Sequence, residues 1–180
     1  MEKISIDFYN LSEWLLLRLF RVVTGFKLAF NPNLEKIYLL TLDIVKENLL
    51  EIVQTQITNE FNIQVELLNE QIDYKSANWG MFLDTSRLTT KMNKIISREK
   101  EVALMGVTNY WLSPSSLLIS RIFHAFNPLL GITYLVPGIC FLTTLNEKLP
   151  IHLLQFAAKH EVGHLLGKHG YPLRWLHKKK

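Results

Sequence analysis

Apolar and polar positions change rhythm several times along the chain, and each rhythm predicts an element. Residues 37–42, Ile37-Tyr38-Leu39-Leu40-Thr41-Leu42, form a short apolar run that predicts a buried strand. From Asp43 onward, Val45, Leu49, Ile52, Val53, Ile57 and Phe61 recur on one side with a 3.6-residue period, which predicts an amphipathic helix opening at Asp43. Ile63, Val65 and Leu67 then alternate with Gln64, Glu66 and Leu68, the two-residue period of a second strand. Strand, helix and strand in that order imply a parallel pair with a right-handed crossover.

The polar stretch Asn69 to Gly80 predicts a loop. Asp84 or Thr85 can cap a helix running to about Ile96, with Leu88, Met92, Ile95 and Ile96 inward. Val102 to Val107 predicts a third strand, and Thr108 to Ser116 a connection containing Pro114. Leu117 to Ile122, Ile132 to Leu135 and Ile139 to Thr143 read as short strands, with Gly131 and Pro137-Gly138 as turns. Pro150 suits the first turn of a helix over 150–166, in which Leu153, Leu154, Ala157, Ala158 and Val162 can pack on the sheet. Upstream, residues 11–24 read as helical and Asn31-Pro32-Asn33 as a break. These elements predict a mixed α/β (α+β) fold. The 180 residues suit one domain, 1–180: a helical extension over 1–33, a core over 34–170 and a basic tail over 171–180.

Composition changes this picture little. The chain is 48% hydrophobic, enough for a full core. Lys178, Lys179 and Lys180 supply three of the net +4 charges, so the rest carries +1. A nearly neutral body lacks the broad basic footprint of a nucleic-acid binder, and no nucleic-acid partner is expected. Cys140 is the only cysteine, so neither an internal disulfide nor a thiolate zinc cluster can form; a reducing, cytoplasmic setting fits. The first residues do not form a signal peptide. The apolar stretches 11–30 and 117–142 carry charges or prolines that make poor membrane spans. Trp14, Leu17 and Phe20 with Arg18, Arg21 and Lys27 suit an amphipathic helix, docked on the core or in weak contact with a membrane surface. Oligomeric state is not legible.

The chemistry concentrates in Lys159-His160-Glu161-Val162-Gly163-His164-Leu165-Leu166-Gly167-Lys168-His169-Gly170. His160 and His164 leave the same helix face and can share one Zn²⁺. Glu161 beside them is placed as a general base, taking a proton from a metal-activated water that attacks a polarised carbonyl. Gly167 can leave the helix at positive φ and bring another histidine back toward the metal.

From about Ile37 to His169 the chain resembles the archaemetzincins, small zinc peptidases within the metzincins. The resemblance rests on the order strand, helix, strand, then Asp84-Thr85-Ser86-Arg87-Leu88, then Leu104-Met105-Gly106-Val107-Thr108, then the His160–His169 motif. It implies a metzincin-like mixed twisted sheet with packed helices and a C-terminal active-site helix, and a peptide or protein substrate laid against an edge strand. In the family pattern HExxHxxGxxH three histidines bind zinc, the glutamate is the base, and a methionine lies in a turn under the metal. Carried over, His160, His164 and His169 are the metal ligands and Glu161 the catalytic residue. Three departures stand out. One residue, not two, separates Gly167 from His169, with Gly170 at the family's third-histidine position; His177 is the other downstream candidate. No methionine follows Met105, and the family's cysteines for a second structural zinc are absent. The alternative to a zinc peptidase is therefore a catalytically degenerate module acting through metal or partner binding.

The remaining candidates read as structural. His152 suits a surface position, His124 a satisfied core histidine, and Cys140 a small buried hydrophobe. Asp43, Asp73 and Asp84 form no paired-carboxylate pattern, and Trp79, Trp111 and Trp175 default to aromatic core.

Overall fold

The computed structural model describes residues 31–70, 72–96, 101–114, 128–136 and 138–167. The expected helix over 11–24, the expected strand over 117–122, Pro137, His124 and Trp175 lie outside those residues. Five strands form the main sheet: β1 (Lys36–Thr41), β2 (Gln64–Leu68), β5 (Val102–Thr108), β7 (Gly131–Tyr134) and β8 (Ile139–Thr143). Their order is β2-β1-β5-β8-β7. The first four run parallel, and β7 pairs antiparallel with β8 at one edge. A smaller sheet joins β3 (Asn78–Trp79), β4 (Phe82–Asp84) and β6 (Trp111–Ser113).

The apolar runs are continuous because the central strands are covered on both faces. Ile37 and Leu39 of β1, Ala103, Met105 and Val107 of β5, and Cys140 and Leu142 of β8 face one layer. That layer is built by helix α1 (Glu47–Phe61) and helix α3 (Ile151–Leu165), through Val53, Ile57, Leu154, Ala157, Ala158 and Val162. Leu40, Leu104, Ile139 and Phe141 face the opposite layer, where Leu88 and Met92 of helix α2 (Thr85–Ile96) meet Leu83 and Leu112 of the small sheet. Gly106 permits that second contact: a Cβ there would lie 3.1 Å from both Leu42 and Phe141.

Several expectations shift for identifiable reasons. Helix α1 begins at Glu47, not Asp43, because both Asp43 carboxylate oxygens accept from the backbone N–H of Asn109 at 3.0 and 3.1 Å. Its buried stripe is Leu50, Val53 and Ile57, and it ends where Asn62 turns to φ 56° and donates to the Thr58 carbonyl. Leu67 is 51% exposed because β2 is an edge strand and Leu67 lies near its end. Within the expected 108–116 connection, Trp111–Ser113 is instead a strand, paired in parallel with Phe82–Asp84. Gly131 opens β7 and is not a turn. Trp79 is 44% exposed, with the Arg87 guanidinium 5.6 Å from its ring centre, so it is not core. Trp111 is half-buried, edge-on to Phe82.

Candidate metal centre

Helix α3 begins after Pro150, whose fixed φ suits a helix entry. It is apolar on most sides because it packs against α1, β7 and β8 together. Its last turns are finished by backbone bonds: Asn31 N–H donates to the Leu165 carbonyl at 2.8 Å, and Gly167 N–H to the His164 carbonyl at 3.1 Å. Gly167 then turns to φ 65°, the left-handed exit that the motif predicts.

His160 is 3% exposed and His164 half-buried. Their Nε2 atoms lie 3.1 Å apart, with ring centroids 4.6 Å apart at 88°. Two Zn–N bonds of about 2.0–2.1 Å at a tetrahedral angle put two nitrogens about 3.3 Å apart, so the pair fits one shared ion. The same separation also suits a hydrogen bond between the rings, with either as donor. Phe156, one turn earlier, packs its ring 5.5 Å from that of His160. His169 and His177 lie outside the described residues, and among the described residues no group of three His, Cys, Asp or Glu side chains is gathered at one point. His152 is exposed.

Glu161 is 2% exposed. Its carboxylate reaches the edge strand, where Thr133 Oγ1 lies 2.6 Å from Oε2 and donates to it. Gly131, two residues before Thr133, lies so close that a Cβ there would come within 2.5 Å of Glu161 Cγ and 2.6 Å of Oε1. Cys140, opposite Thr133 across β8, is fully buried. Burial pushes its thiol well above the ordinary range, and the nearby Glu161 charge adds to this. Thr133 and Gly131 escape a sequence reading because only the β7 register brings them to the helix; the one local hint is their i, i+2 spacing, which puts both on one strand face.

Among solved structures, the archaemetzincin of Archaeoglobus fulgidus complexed with malonate matches at 19% identity and a TM-score of 0.53, over 73% of this chain and 77% of that one. The archaemetzincin of Methanopyrus kandleri matches at 14% identity and a TM-score of 0.53, over 75% of this chain and 74% of that one. The chain therefore has an archaemetzincin-like fold. No protein-family model matches it, and no curated protein matches it by sequence.

Proposed function

We propose that the chain is a zinc-dependent peptidase. The observation that carries this is the convergence of the His160 and His164 Nε2 atoms at 3.1 Å, one turn apart on α3 with Glu161 between them in sequence. His160 and His164 hold the ion, and His169 or His177 completes the set. A bound zinc would supply a Lewis acid that polarises a carbonyl and raises the acidity of water. Glu161 accepts the proton of the attacking water and returns it to the leaving amine. Among the described residues strand β7 is an edge of the five-stranded sheet and lies beside α3, where an extended peptide would add as a further strand.

The test is peptide hydrolysis by the zinc-loaded chain and by Glu161→Gln. The variant should retain zinc and lose activity by about 10²–10⁴-fold, the usual worth of a positioned general base. A second reading, a degenerate module that binds metal or a partner without hydrolysis, is favoured by the motif being one residue short, with Gly170 at the family's third-histidine position. Under it the wild type hydrolyses nothing and Glu161→Gln changes nothing.

A further inference from the structure

We infer that Thr133, together with Gly131, is the positioning residue for the Glu161 carboxylate, an assignment that rests on the peptidase reading above. Both residues stand on the face of β7 turned to α3, since i and i+2 in a strand share a side. The Thr133 hydroxyl carries a single proton, and its shorter contact is to Glu161 Oε2 at 2.6 Å, against 3.2 Å to the Glu161 backbone carbonyl. That length is typical of a hydroxyl donating to an ionised carboxylate. Being β-branched, Thr133 is stiff at χ1, so the donor is itself held in place.

Gly131 acts on the same group from the other side. Glu161 Cγ, Cδ and Oε1 fill the space that any side chain at 131 would occupy, at 2.5–2.7 Å from an added Cβ. A donor on one oxygen and a backbone wall beside the other restrict both the reach and the rotation of the carboxylate on its β7 side. Across β8 the neighbours in register are Cys140 and Leu142, which offer it little polar competition. A general base displaced by about 1 Å can lose about 10²-fold in rate, so holding this group has a catalytic consequence beyond satisfying a buried acceptor. The same strand is the edge on which a peptide would lie, which ties the position of the base to that of the substrate.

The experiment compares Thr133→Val, isosteric but lacking the hydroxyl, with Thr133→Ser, which restores it, in the full chain. Thr133→Val should lower kcat by about 10–100-fold with KM and zinc content unchanged, and Thr133→Ser should recover to within about threefold of wild type. A readout independent of activity is a thermal-denaturation cycle on the metal-free chain with Thr133→Val, Glu161→Met and the double variant. The melting-temperature loss from Thr133→Val should disappear in the Glu161→Met background. Wild-type kcat in Thr133→Val, equal impairment of Val and Ser variants, joint loss of zinc and kcat, or additive melting shifts would each overturn the assignment alone. A wild type that holds no zinc and cleaves no peptide overturns the peptidase reading and this assignment together.

Discussion

Asp43 and Cys140 show what burial does to single groups outside the candidate metal-binding set. Burial raises the Asp43 carboxyl above its ordinary 3.8, outweighing the hydrogen bonds from Asn109 and Thr108 that lower it. Its stabilising contribution is thus fully present below that ordinary value and is lost as pH rises through the raised folded value. Asp43→Asn, which carries no charge, should gain stability relative to wild type as urea unfolding is followed upward from about pH 3.8; a gap that narrows with rising pH contradicts this. Cys140, fully buried with its thiol pushed up, should resist iodoacetamide in the native chain at pH 8 and label only in guanidinium. Rapid labelling of the native chain would show that this packing is wrong. At this scale His160, Glu161 and His164 are legible because their relation is set within one helix turn. Thr133 is not, since its partner is 28 residues away and reached only through the β7 register.

At the scale of elements, α2 is the clearest case of a local signal. Asp84 Oδ1 accepts from the N–H groups of Ser86 and Arg87 at 3.1 and 3.3 Å, as its position before an apolar periodic run predicts. Asp84→Ala should cost about 1–2 kcal/mol in urea unfolding, from the cap and the 2.6 Å bond that Ser86 Oγ donates to the same oxygen, because the 3.4 Å contact to half-exposed Arg87 is screened. A loss within about 0.3 kcal/mol would mean that the cap contributes little. Helix α3 is legible to within a residue from Pro150 and its apolar face. The missed strands, Asn78–Trp79 within the expected 69–80 loop, Phe82–Asp84 and Trp111–Ser113, span only two or three residues each, and the pairing of Trp111–Ser113 is set by Phe82–Asp84 far upstream. The start of α1 is misjudged for the same reason, because Asp43 is engaged by a residue 66 positions later.

For the whole molecule, the continuous apolar runs in β1, β5 and β8 give away a sheet covered on both sides, while strand order is decided by contacts no local pattern encodes. Among the described residues β1, β5 and β8 lie inside the five-stranded sheet, whereas β2 and β7 are its edges. Amide hydrogen exchange should therefore be slowest in β1, β5 and β8 and faster in β2 and β7. Uniform exchange across all five strands would contradict a core built on the three central ones. No helix among the described residues is long and apolar enough to cross a membrane.

The proposed chemistry requires two imidazoles of α3 and a third downstream ring to hold one metal ion. Zinc K-edge absorption of the purified full chain, beside its His164→Ala variant, tests this most directly. About one zinc per chain, with imidazole nitrogens at about 2.0–2.1 Å and the signal lost in His164→Ala, is the predicted result. A folded chain that takes up no zinc, or one whose zinc shell is unchanged in His164→Ala, would contradict it.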